Sequence, residues 1–174
     1  CSSATVEAWR QEGALVTGTF FNPNIHPYHE HQRRLETLLE YARAIDLPLI
    51  GEPYYDVKEW LRQLGGVDEY GARCRICIAQ RLEHTAALAA ARGFDAFSTS
   101  LSISRYQDQD TTAAAGHQAG ARHGVEFLYR DLTGHYHRSL ELSREAGLFR
   151  QNYCGCIYSE EESARAREER KRRK

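Results

Sequence analysis

Residues 95–129 read DAFSTSLSISRYQDQDTTAAAGHQAGARHGVEFLY, and this stretch decides the fold. Asp95–Thr99 predicts a strand. Thr111–His123 predicts a helix closed by Gly124, and Val125–Tyr129 predicts a second strand. Strand, helix, strand is the unit of a parallel sheet, because parallel partners need a long crossover between them. The same alternation runs outward in both directions. Leu15–Phe21 predicts a strand. Pro27–Ile45 predicts a helix with Leu35, Leu38, Leu39 and Ala42 on one face, and Leu47–Ile50 predicts a short strand. Val57–Leu64 predicts a short helix ending at Gly65-Gly66, Cys74–Arg92 a long helix, and Tyr136–Leu148 a last core helix. The pattern defines an α/β domain with a largely parallel sheet and no internal repeat.

The chain has 174 residues, enough for one domain with a real core. Apolar residues make up 41% and charged residues 27%, ordinary values for a globular protein. No stretch approaches the roughly twenty apolar residues of a spanning helix, so no membrane partner is expected. The formal net charge is −1, so any nucleic-acid contact must come from local basic patches. The chain begins at Cys1, contains no Met, and opens directly into a helix-like stretch, Ser2–Gln11. We therefore expect a first strand to be missing. The stretch 159–174 differs from the rest. Ser159 and three glutamates suit a helix start, whereas the basic run that follows has no apolar face. The expected organisation is a domain over 1–158 and a charged, solvated tail over 159–174.

Five cysteines stand at positions 1, 74, 77, 154 and 156. Close pairs in a cytoplasmic-looking protein point to metal or redox chemistry rather than to a secreted disulfide scaffold. In Arg73-Cys74-Arg75-Ile76-Cys77 the two sulfurs lie one helical turn apart on one side. Thiolates there suit zinc or an iron–sulfur cluster, and Arg73 and Arg75 are placed to lower thiol pKa values. Cys154-Gly155-Cys156 is the second pair. A disulfide across one residue is strained and therefore oxidising, which suits electron transfer, and the same thiols also suit a metal. From spacing alone, an all-thiolate zinc site, inert buried cysteines and a redox pair all stay open.

Polar residues gather where the predicted strands end, the usual ligand side of an open parallel sheet. After the first comes Phe20-Phe21-Asn22-Pro23-Asn24-Ile25-His26-Pro27, with Asn22, Asn24 and His26 as candidate substrate contacts. Glu30, Arg33 and Arg34 follow, as a solvated face or as supports of that loop. After the third come Ser98, Thr99, Tyr106 and Gln107, candidates of the same kind. Turn chemistry and helix capping are the plainer readings of both segments. Asp56, Asp131 and Tyr136 stand at other strand exits as caps or proton donors, and Arg81, Glu83 and His84 read as surface residues.

Four segments, in order, carry a resemblance. They are FFNPNIHP with Glu30 and Arg34, RCRIC with Arg81-Leu82-Glu83, FSTSLSISRYQ at 97–107, and FRQNYCGCIYS at 149–159. Together they resemble the QueH-type epoxyqueuosine reductases. The resemblance implies a Rossmann-like three-layer α/β sandwich carrying a [4Fe–4S] cluster. It implies Cys74 and Cys77 as two cluster ligands and Cys154 with Cys156 as a redox-active disulfide. An additional iron ion is associated with the family, and Cys1, matching the end of the family's N-terminal motif, is a candidate ligand for it. The adjacent cysteine pair of that motif is absent here, so the chain holds half of the expected cluster ligands.

The implied reaction is the two-electron deoxygenation of epoxyqueuosine in the anticodon loop of a tRNA, where unstacked bases and phosphates are the handles, with an unknown electron donor. An iron Lewis acid would act on the epoxide oxygen, with Tyr106 and Asp131 as candidate proton donors. Arg33, Arg34, Arg73, Arg75 and the basic tail are the expected phosphate contacts. Two rival readings remain on the residues alone. One is a zinc-stabilised RNA-binding or structural module, and the other is a metal-free thiol–disulfide oxidoreductase.

Overall fold

The structure, a computed structural model, describes residues 2–173. The seven α-helices among them are α1 (Ser2–Gln11), α2 (Tyr28–Ala44), α3 (Val57–Leu64), α4 (Ala72–Ala91), α5 (Gln109–His123), α6 (Tyr136–Glu145) and α7 (Ile157–Arg172). Four short strands stand between them: β1 (Gly18–Thr19), β2 (Leu49–Ile50), β3 (Ala96–Phe97) and β4 (Glu126–Phe127). β1 pairs with β2 and β3 with β4, both in parallel. Each pair is closed by a crossover helix, α2 in the first and α5 in the second. The expected sheet is therefore present among the described residues as two separate parallel pairs. Strands predicted over four to seven residues narrow to two each, because ladder bonds form only where a partner lies alongside.

Local signals set the helix ends. Asp56 accepts from the Glu59 N–H at 2.9 Å, and Gly65, at φ +58°, closes α3. Asp108 accepts from the Thr111 N–H at 3.0 Å, and Gly124 at φ +66° ends α5. α7 starts two residues before Ser159, with Cys156 as its N-cap, and its described side chains are not buried.

The main core joins α4 to α5 and the second strand pair through Ile78, Leu82, Ala86, Ala89, Phe97, Ala119, Val125 and Phe127. Small residues let the layers close. A Cβ at Gly116 would sit 2.1 Å from the Phe127 ring, so only glycine lets α5 approach β4 this nearly. A second cluster, Trp60, Leu64 and Cys156 with Ile76 and Tyr158, seats α3 against the start of α7 and the first turns of α4. That packing brings the two cysteine pairs to one end of the molecule.

Candidate active site

Cys74 lies in the first turn of α4 and Cys77 one turn on, as their spacing requires. Cys154, Gly155 and Cys156 form the loop that enters α7. All four cysteines are free thiols: Cys154 exposed, Cys156 buried, and Cys74 and Cys77 in between. Burial pushes the Cys77 thiol up to about 12. The Arg81 guanidinium opposes this, and the neighbouring Cys154, Cys156 and Cys74 sulfurs add to it. The Cys154 thiol is also raised, first by the protein atoms that desolvate its sulfur although the residue as a whole is exposed, again with Arg81 opposing. Arg81 is thus the cation that faces these two thiols. Of the two arginines expected to activate them, Arg73 lies against Cys156 instead.

The C-x-C loop is held from three sides. Arg34 on α2 donates to the Cys154 carbonyl at 2.8 Å and to the Tyr153 carbonyl at 3.2 Å, while its Nε donates to Glu30 at 2.8 Å. The Gly155 carbonyl accepts from the His26 N–H at 2.8 Å, and the Tyr153 hydroxyl donates to the His26 carbonyl. Gly155 sits at φ +152°, and a Cβ there would lie 3.0 Å from the Asn24 amide and 3.1 Å from Ile25. On the far side the Ser159 hydroxyl donates to the Cys156 carbonyl at 2.7 Å, and the Ser159 N–H to Cys156 Sγ at 3.4 Å.

Gln107 reaches this loop directly: its side-chain amide donates to Cys154 Sγ at 3.3 Å. The other sequence candidates among the described residues divide into four groups. Asn22 accepts from Arg81 at 2.8 Å and ties the first strand exit to α4. Asn24 (2% exposed) and His26 (3%) are enclosed beneath the C-x-C loop, and burial lowers the His26 pKa to about 4. Ser98 donates to the Leu128 carbonyl at 2.8 Å, and Thr99 caps the 3₁₀ turn Ser100–Ile103, as turn chemistry would have it. Tyr106, by contrast, is 74% exposed. Cys1 lies outside the described residues.

Several readings need correction. Arg73 is not available to phosphates: it is 3% exposed and donates to both Glu162 carboxylate oxygens, at 2.6 and 2.7 Å, and to the Asp68 carbonyl. Asp131 accepts from the Thr133 N–H at 2.8 Å, a turn contact that holds its carboxyl below the usual range. Arg81 and His84 are more than surface residues, for His84 stacks on Phe21 at 3.6 Å. Arg34 and Arg81 make long-range contacts whose partners no local signal announces; the hints are the loop-supporting reading of Arg34 and the place of both residues in the quoted motifs.

The donor chemistry fits a thiophilic metal centre, with Cys74 and Cys77 as a ready pair of soft ligands. Among the described residues, no group of three or more His, Cys, Asp or Glu side chains is arranged to hold a metal by itself. No described helix is long and apolar enough to cross a membrane.

Paired free thiols from two distant segments stand at one end of an α/β framework, which places the chain in the class of thiol-bearing α/β proteins. The chain belongs to the epoxyqueuosine reductase QueH family, whose profile matches residues 1–162. A curated epoxyqueuosine reductase QueH from Dehalococcoides mccartyi is 38% identical over 162 residues, covering 93% of this chain and 88% of the relative. Those of Haemophilus influenzae and Acinetobacter baylyi are each 34% identical, over 100% and 91% of this chain and 73% and 75% of theirs. The protein is an epoxyqueuosine reductase, an oxidoreductase of tRNA modification.

Proposed function

We propose that epoxyqueuosine in tRNA is deoxygenated here with a [4Fe–4S] cluster held in part by Cys74 and Cys77, and with Cys154 and Cys156 as a redox-active pair. The observation that carries this reading is that Cys74, Cys154 and Cys156 all lie within electrostatic reach of the Cys77 sulfur. When bound, such a cluster supplies electrons singly. The thiol pair supplies two. Cys154 and Cys156 lose their hydrogens and join as a disulfide. The two electrons and two protons go to the epoxide, whose two C–O bonds break to leave an alkene and water. Dithiol plus epoxide therefore balances disulfide plus alkene plus water. A reductant from the unknown donor then reopens the S–S bond.

The chain's own residues prepare that exchange. Gln107 orients Cys154 Sγ, Arg34 fixes the carbonyls on either side of it, and Arg81 favours its thiolate. We assign Cys1 to an additional iron ion. The two parallel pairs and their helices we read as parts of a Rossmann-like three-layer sandwich. Four free thiols suit a reducing compartment, and we place the enzyme in the cytoplasm.

The test is anaerobic purification of the full-length protein, followed by iron, sulfide and zinc analysis and by turnover of epoxyqueuosine RNA with a strong reductant. Broad brown absorbance with matching iron and sulfide is expected, and Cys77→Ala loses both colour and turnover. A colourless, active protein containing only zinc would sink the cluster, and a fully active Cys77→Ala would sink the ligand assignment.

A further inference from the structure

The two most exposed aromatic side chains among the described residues lie together beside the thiol loop, and their only ties are light: Arg73 lies 5.6 Å from the Tyr70 ring centre. Tyr106 is 74% exposed and Tyr70 66%. The Tyr70 hydroxyl meets the Tyr106 carbonyl at 3.5 Å, and the Tyr106 ring meets Tyr136 edge-on at 6.4 Å. Cations surround them. Arg105 lies over the Tyr136 ring at 5.2 Å, Arg150 is within electrostatic reach of the same phenol, and Arg75 of the neighbouring Asp108. All three arginines are exposed. Three acids stand near this rim: Asp108 is occupied at the start of α5, accepting from the Thr111 N–H and hydroxyl, and Asp68 and Glu69 are exposed just before Tyr70. The residue after Tyr106 is Gln107, which holds Cys154 Sγ, so the platform borders the reacting loop.

We propose that Tyr106, supported by Tyr70 and Tyr136, is a stacking platform for an unpaired base flanking the modified nucleoside, with Arg75, Arg105 and Arg150 contacting its phosphates. This deepens the reading of a tRNA substrate and depends on it. Exposed rings interleaved with guanidinium groups suit single-stranded nucleic acid, where every base offers a π-face and every linkage a negative charge. Tyr and Arg also anchor protein interfaces, so a protein partner is the other occupant, and the experiment separates it from RNA. The platform is a binding element and contributes no electron or proton.

The experiment measures the affinity of the purified protein for a labelled anticodon stem-loop RNA by fluorescence anisotropy, across a salt series. Tyr106→Ala weakens binding about ten-fold, the scale of one lost base stack, while Tyr106→Phe stays within about two-fold of wild type. Arg105→Ala lowers the slope of log affinity against log salt by about 0.7, as for one single-strand phosphate. Making loop positions abasic one at a time should find a position that weakens wild type but not Tyr106→Ala. Since Tyr106 is exposed, its truncation leaves the fold intact. Equal affinity of Tyr106→Ala and wild type, with wild type binding well, overturns the platform and leaves the reductase reading standing. Unchanged RNA affinity with slower reduction of the thiol pair by a protein donor makes the surface a donor dock and also overturns it. If wild type neither binds the RNA nor turns it over, the tRNA reading is at fault and the platform falls with it.

Discussion

Arg34→Ala is the most informative single change, because one buried guanidinium holds the redox loop. Its side chain and that of Glu30 keep only 9% and 10% of their exposure. It donates at 2.8 Å to Glu30, at 2.8 Å to the Cys154 carbonyl and at 3.2 Å to the Tyr153 carbonyl. It also lies 5.1 Å from the Tyr153 ring centre. Removing it leaves the Glu30 carboxylate buried without its cation, a loss of about 3–5 kcal/mol for such pairs. The orphaned carbonyls act in the same direction, and the side-chain freedom regained opposes. We expect a net destabilisation of about 4 kcal/mol. At a urea slope of about 2 kcal/mol/M, the unfolding midpoint drops by about 2 M. Arg34→Lys keeps the charge but not the fork, and should recover about half of the loss. Alkylation of Cys154 should accelerate in the alanine variant while that of Cys74 does not, since of the two cysteine segments Arg34 touches the C-x-C loop. A midpoint shift below about 0.3 M, with Cys154 alkylated at the wild-type rate, would refute the claim that Arg34 anchors the loop.

Three further outcomes follow from particular contacts. Gly155→Ala forces a side chain into positive φ and against Asn24 and Ile25, so the melting temperature should fall by about 4–8 °C for a cost of about 2 kcal/mol; an unchanged melt argues against the close approach. Gly116→Ala drives a methyl into the Phe127 ring and should cost about 1–3 kcal/mol in denaturant unfolding, with Phe127→Leu in the same chain restoring part of it. The buried His26 titrates at about 4 folded and about 6.5 unfolded. The unfolded state therefore binds the extra proton between these values, and stability falls as pH drops from about 6.5 to 4, by up to about 3 kcal/mol. His31 and His84 shift in the same direction. Unfolding midpoints that are flat between pH 7 and 5 would contradict this, and His26→Phe should flatten them in part.

What the sequence determined by itself is what neighbours along the chain decide. α3 has its predicted bounds because Asp56 caps it and Gly65 closes it, both within hydrogen-bonding distance of their own helix. α5 ends at Gly124 for the same reason, and the spacing of Cys74 and Cys77 on α4 follows from helix pitch. The four motifs marked the family through local patterns of this kind. Tertiary structure decided where partners come from afar. The strands shrank to two residues apiece because a ladder needs a neighbour that no local pattern supplies. Gln107 meets Cys154 across 47 residues, Asn22 meets Arg81 across 59, and Arg34 meets Cys154 across 120. Packing also chose Cys156 over Ser159 to cap α7, and enclosed Asn24, His26 and Arg73 while leaving Tyr106 exposed. The physical reason is that capping and pitch are set within a few residues, whereas burial and long-range hydrogen bonds are fixed only when the whole core closes.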